Sequence, residues 1–282
     1  MTPSIIPGLR RVQQKPTENP VFFKKTKKRL PVWAASLLCA IFWLAVWEGL
    51  ALLVGKEVLL PSPFVTVKRI AELSVTSGFW LSCALSMLRI ALGFLLAVAA
   101  GALIALLTAF VPFLRTLFSP ALSVIKATPV ASFIVLALVW MKSGTIPVFT
   151  SFLMVLPVVW SNAHAGLLSV DRDLLEMTRV YRLSRAERMK KLYLPSALPY
   201  FTAACGTGAG LAWKAGIAAE VLSRTAFSIG REIYDSKIYL ETVDLFAWTA
   251  VLIVISVAFE RLILLWLRKA NRRFSSGDGN AD

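Results

Sequence analysis

The sequence predicts an all-α membrane protein of six transmembrane helices with one folded cytoplasmic loop. Hydrophobic residues make up 57% of the 282 positions and charged residues only 17%, against about 25% charge in a soluble domain. The mean hydropathy is +0.69. Apolar runs of about twenty residues, enough to cross about 30 Å of hydrocarbon, recur along the chain.

Val32–Val54 is the first span, with Glu48 as its only charge. About thirty polar residues precede it and no small-residue cleavage site follows, so it reads as an anchor and not a signal peptide. Leu60-Pro61-Ser62-Pro63 reads as an extended, turn-forming lead-in to the second span, 81–107, which carries Arg89 and Gly93. The third, 117–141, is interrupted by Pro129 and carries Lys126; the fourth is 146–165, the fifth 197–222 and the sixth 243–267. Outside these lie a basic N-terminal tail, 1–31, and a C-terminal tail, 268–282.

The 31 Lys and Arg residues outnumber the 16 Asp and Glu. Nucleic acid is a poor explanation, because the bases lie between apolar segments and not along one face. With both termini in the cytoplasm, cytoplasmic segments hold 20 Lys and Arg and external ones 7, the asymmetry that orients spans in a cell inner membrane. Lys24, Lys25, Lys27, Lys28 and Arg29 adjoin the first span and fit a topology signal and anionic-lipid contact. Cys39, Cys83, Cys205 and the single His164 have no spacing suited to a disulfide framework or a zinc site, so no metal is expected.

The loop 171–195 is too polar for lipid and too patterned for disorder. It reads as two short helices with a break near Arg182–Leu183. Asp173 with Glu176 is compatible with one cap, and Ser184-x-x-Glu187 is a capping box. Leu174, Leu175 and Thr178 form a stripe on the first helix, with Arg179 and Arg182 on another side. Such an amphipathic helix suits a partner protein or lipid headgroups.

Here the residues resemble a family. Glu176 in a short helix, Leu192-Tyr-Leu-Pro195 ending the second, and Ala197-Leu-Pro199 are similar to the EAA loop of binding-protein-dependent ABC importer permeases. Leu60-Pro-Ser-Pro63, Leu85-Ser-Met-Leu-Arg89-Ile-Ala-Leu-Gly93, Pro129, Trp213 and Ala219-Glu220 look like the nitrate/sulfonate/taurine branch, over roughly residues 58–268. The resemblance implies a type I importer fold, a second permease copy forming a homodimer, an external solute-binding protein and a dimeric P-loop ATPase. The coupling residues it implies are Leu174, Leu175, Glu176, Met177, Thr178, Arg179, Arg182 and Pro195. One departure stands out: where the family has Gly six positions after the Glu, this chain has Arg182, so the reading expects the helix to continue further. No Gly-x-x-x-x-Gly-Lys-Ser/Thr loop is present, so ATP and Mg fall to the partner and this chain is a transport subunit and not an enzyme.

Charges within spans are costly and mark candidate substrate-path residues. Arg89 and Lys126 could snorkel or pair, and Glu48 and Glu260 fit interfacial or paired roles. Lys214 lies deepest, with Glu220 six residues on and about 120° round the helix. Two readings stay open for Lys214: an ion pair with Glu48, Glu220 or Glu260, or a place on the path beside Trp213, Gly210 and Gly216, where it would favour an anionic or zwitterionic solute. Gly206 and Gly210 are spaced for close helix packing. The alternative class is a secondary transporter or channel using Glu48, Arg89, Lys214 and Glu220 as an ion relay. Such a protein has no need of a docking helix pair in its loop.

Overall fold

The structure is a computed structural model that describes residues 32–276. The predicted basic tail 1–31 and residues 277–282 lie outside the described residues. The chain divides into two units, residues 1–44 and 45–282. The first contributes most of α1 (Val32–Val54), where the Phe42 and Trp43 rings meet edge to face at 5.6 Å and Leu37, Leu38 and Ile41 are exposed.

The second unit holds the end of α1, α2 (Pro63–Ser74), α3 (Ser77–Phe110), α4 (Pro112–Ala127), α5 (Val130–Trp140) and α6 (Ile146–Leu168). The loop helices α7 (Arg172–Val180) and α8 (Arg185–Arg188) follow, then α9 (Leu194–Ser223), α10 (Ile229–Ile238) and α11 (Thr242–Ser276). Its core is built on α6, which packs between α3 and α9. Glycines set that spacing. A Cβ added to Gly93 of α3 would strike the Val148 carbonyl oxygen and come within 2.8 Å of the Ser151 Cβ, and one on Gly216 of α9 would lie 2.7 Å from the Ser151 hydroxyl. Ser151, fully buried on α6, donates to the Ala212 carbonyl of α9 at 2.9 Å. Ile90, Phe94, Val155, Val159, Ala209 and Trp213 fill the space between the three helices, and Phe259 of α11 covers it.

Four described helices are long and apolar enough to cross a membrane: Ala34–Val54, α3, α6 and α11 as far as Leu267. The predicted third span, 117–141, is not one straight helix, because α4 and α5 meet at 104°. Pro129 is the cause: it has no N–H to donate, and it holds Thr128 out of the helical region at ψ 131°. Counted as one broken span, the pair makes a fifth. The predicted span 197–222 falls on α9, which is roughly 45 Å long but is diluted by proline, glycine, Lys214 and Glu220 and is not among the four. Against the six spans expected, the described residues thus offer four such helices and one bent pair, five candidate crossings at most. α11 continues past the predicted boundary at residue 267 to Ser276.

Two helices were absent from the sequence reading. Leu60–Pro63 is no simple extended lead-in: the Ser62 hydroxyl accepts from the Val65 amide at 3.3 Å and Pro63 opens α2, a cap-and-proline signal legible in the sequence. α10 is likewise capped, with Ser228 Oγ accepting from the Arg231 amide at 3.1 Å.

Arg182 corrects a further expectation. α7 stops at Val180 and does not run on, because Arg182 adopts the left-handed conformation, φ 50°, that glycine holds without strain. The Leu183 amide then reaches back to the Thr178 carbonyl at 3.0 Å and the Arg182 amide to Arg179 at 3.1 Å, closing a Schellman end. Arg224 at the end of α9, φ 46°, and Leu240 after α10, φ 59°, end their helices with the same reach-back bond, from Thr225 to Glu220 and from Glu241 to Ser236.

Two predictions follow from backbone geometry. Gly93→Ala should wedge α3 from α6 at a cost of about 1–3 kcal/mol, lowering the melting temperature in detergent. Gly210→Ala, where an added Cβ meets nothing within 4 Å, should leave it unchanged. Arg182→Gly should relieve about 1 kcal/mol of left-handed strain, seen as roughly fivefold slower hydrogen exchange of the α7 amides; faster exchange would overturn this account.

Candidate functional site

The loop between α6 and α9 begins with Asp171, whose carboxylate accepts from the Asp173 amide at 3.0 Å and caps α7. The cap is therefore Asp171 and not the Asp173/Glu176 pair, and Glu176 stands exposed within the helix with no bonding partner among the described residues. The faces of α7 also differ from the predicted stripe. Thr178 is buried and Leu175 half-buried, both turned toward the chain's own body, while Leu174, Met177, Val180 and Tyr181 are exposed. Spacings of three, four and seven place Leu174, Met177 and Tyr181 on one side. Arg172 and Arg179, also exposed, lie on the opposite side of the helix, and the exposed Arg182 follows its end.

Ser184 and Glu187 form the capping box their spacing predicts: the Ser184 amide donates to Glu187 Oε2 at 2.8 Å, and the Glu187 amide to Ser184 Oγ at 3.2 Å. These bonds hold the exposed Glu187 carboxyl below its ordinary value of 4.5. Their contribution is accordingly present above that value and lost as pH falls through the lowered one. The second loop helix is no separate element. α8 passes through a π-helical turn, Met189–Tyr193, directly into α9, so the helix runs unbroken from Arg185 to Ser223. Pro195 explains the turn: it cannot donate, and its ring would crowd the carbonyl one α-turn earlier, which the wider π turn relieves.

The predicted path residues separate into two groups. Arg89 and Glu220 come together: Glu220 is fully buried on α9, and its Oε1 lies 3.7 Å from Arg89 Nη1 on α3. Trp213 is also interior, 1% exposed and packed against the Phe259 ring at 5.8 Å, the two planes tilted by 34°. It does not line open space beside Lys214, and Gly216 is likewise filled, by Ile90 and Ser151. Lys214, one residue on and about 100° round, is exposed and has no hydrogen-bond or ion-pair partner among the described residues. Tyr200, Ala203 and Thr207 share its exposed side of α9, as does Gly210 with nothing near it. Gly206 does pack closely, against Leu264 of α11.

The other intramembrane charges are local. Lys126 lies over the Trp160 ring at 5.8 Å, a cation–π contact. Glu48 and Glu260 make no ion pair among the described residues, so neither holds Lys214 within one chain. His164 is packed, stacked on Trp160 and 3.0 Å from the Thr108 hydroxyl. A surface cleft of about 380 Å³ opens where Arg69 of α2 clamps Asp244 of α11 at 2.6 Å, and it includes none of the predicted path residues. Among the described residues no group of three His, Cys, Asp or Glu side chains is placed to hold a metal ion.

The chain has recognisable relatives. Residues 97–274 match the family described as "Binding-protein-dependent transport system inner membrane component". The nitrate import permease of Synechococcus elongatus is 28% identical over 211 residues, covering 71% of this chain and 75% of the relative. The taurine transport system permease of Escherichia coli is 26% identical over 243 residues, covering 84% and 86%. An amino acid ABC transporter crystallised with histidines shares the fold at a TM-score of 0.51 and 21% identity, over 65% of this chain and 91% of that one. This chain belongs to the inner-membrane components of binding-protein-dependent transport systems, the permease subunits of ABC importers, which work with an ATPase and a binding protein and are not themselves enzymes.

Proposed function

We propose that this permease carries a small anionic or zwitterionic solute past Lys214, in a path completed by a second copy of the same chain. The observation that carries the reading is the exposed, unpartnered ammonium group well inside α9. An unpaired charge at membrane depth costs about 2.5–3.5 kcal/mol unless it faces water or a complementary ligand. Small side chains along the same side of α9 leave room there. The nitrate and taurine named for two relatives carry the negative charge such a site would attract.

In this reading α9 and the bent α4–α5 pair complete six crossings, and both termini lie in the cytoplasm. The 20-to-7 distribution of Lys and Arg supports that orientation. The loop 171–195 then meets the ATPase dimer, which binds ATP and Mg, through the outward strip Leu174, Met177 and Tyr181, while Arg172 and Arg179 lie on the helix's other exposed side and Arg182 beyond its end. Leu175 and Thr178 hold the helix to the permease from behind, and Pro195 closes the loop at the first turn of α9.

Three experiments test these points. In a Cys39→Ser background, Met177→Cys should resist an impermeant thiol reagent in intact cells and react in inverted vesicles only until the ATPase is added. Met177→Asp should release the ATPase while the permease still inserts, whereas normal assembly and transport would show that this strip meets lipid. Lys214→Met should lower solute uptake at least tenfold without changing complex assembly, and uptake at the normal rate would end the assignment of Lys214 to the path.

A further inference from the structure

Beyond the path itself, the end of α9 remote from the 171–195 loop carries an arrangement that neither helix needs for its own folding. Glu220 Oε2 accepts from Ser86 Oγ of α3 at 2.7 Å and from the Gly230 amide of α10 at 3.2 Å. Ser86 Oγ in turn accepts from the Ile229 amide at 3.0 Å. Arg89, beside the Glu220 carboxylate, donates to the carbonyls of Ala226 and Phe227 at 3.1 Å each. The first three peptide N–H groups of α10 thus all meet side-chain acceptors, and only the third, at Arg231, is served from the helix's own cap, Ser228. The other two are held by α3 and α9. A carboxylate there also faces the positive end of the helix dipole.

The approach is as close as a backbone allows. A Cβ on Gly230 would collide with the Glu220 Cβ and come within 2.7 Å of the Val221 amide nitrogen. Apolar side chains would hold the two helices together without burying charge, and a buried ion pair gains little stability over such packing. What the charged cluster adds is direction: it fixes the turn 224–230 to one point on α3 and one on α9. Lys214 lies six residues before Glu220, roughly 9 Å along the same helix.

We propose that Glu220 is a positioning residue which, with Arg89 and Ser86, fastens α10 to α3 and α9, so that a load applied to α10 by an external binding protein is delivered to the path helix. This rests on the permease reading above. The clip stays closed during transport, and α10 and α9 move as one piece.

The test uses the complete transporter, permease with ATPase and binding protein, in lipid nanodiscs. Glu220→Gln keeps an oxygen for Ser86 and Gly230 but removes the charge facing Arg89. It should speed hydrogen exchange of the 229–238 amides at least tenfold and cut stimulation of ATP hydrolysis by solute-loaded binding protein at least tenfold, with basal hydrolysis within twofold. Gly230→Ala, which pries α10 away with the charges intact, should do the same; the double variant Arg89→Gln/Glu220→Gln serves if the single one fails to insert. Ser82 of α3 lies beside the Glu232 carboxyl of α10. In a Cys83→Ser background, a disulfide between Ser82→Cys and Glu232→Cys should restore stimulation to Glu220→Gln, and reduction should remove it again. Released α10 with normal stimulation, or a disulfide that reattaches α10 without restoring it, would overturn the proposal. Failure of the wider reading is distinguishable, since it would abolish basal hydrolysis or leave Lys214→Met fully active.

Discussion

Everything in the second unit is arranged around the near-contact of backbones between α6 and its two neighbours. Lipid tails are as apolar as leucine, so helices gain little by hiding apolar surface from them; association rests on close packing and hydrogen bonds. Gly93 and Gly216 provide the first, and Ser151, buried and donating to the α9 backbone, the second. Because these contacts fix which side of α9 faces inward, they also decide which side is left open. Trp213 and Glu220 are turned into the protein and Lys214 away from it by the same rotation of one helix.

That rotation explains what the sequence could and could not disclose. Hydropathy placed the starts of the long helices within a few residues, because twenty apolar residues in a row have few alternatives, but missed the polar end of α11 beyond residue 267. The Ser184–Glu187 box was legible from spacing, since it is a purely local exchange of hydrogen bonds. The bend at Pro129 was visible as a proline but not as an angle of 104°, which depends on where α4 and α5 can each pack. α2 and α10 escaped notice because they are short and carry charges among their apolar residues, although the caps Ser62 and Ser228 were in plain view.

The site was legible in part, for a related reason. Residue type singled out Arg89, Lys214 and Glu220 as expensive in a membrane, but partner choice is a matter of three dimensions. Arg89 and Glu220 are 131 positions apart in the chain and lie in ion-pair contact, while Lys214 and Glu220, six apart, face different ways. On α7 the apolar stripe was drawn through Leu174, Leu175 and Thr178, yet a nine-residue helix lying against a body has an inner side as well as an outer one. Only the fold says that Thr178 belongs to the inner side. Likewise Arg182 looked like a reason for α7 to continue, yet the local reach-back bonds close the helix over a left-handed Arg182.

The π turn at Met189–Tyr193 has a consequence for the phase of the helix that contains it. A π turn carries one residue more than an α turn over the same rise, so it offsets everything before it by about 100° about the axis relative to everything after it. The azimuth at which the 171–188 segment leaves the helix bundle is set by that offset. Removing one residue from the turn would leave every apolar position in α9 where it is and swing the loop about a quarter-turn around the helix. The direction in which the loop points is therefore stored in a register, and the five residues that lead into α9 are enough to hold it.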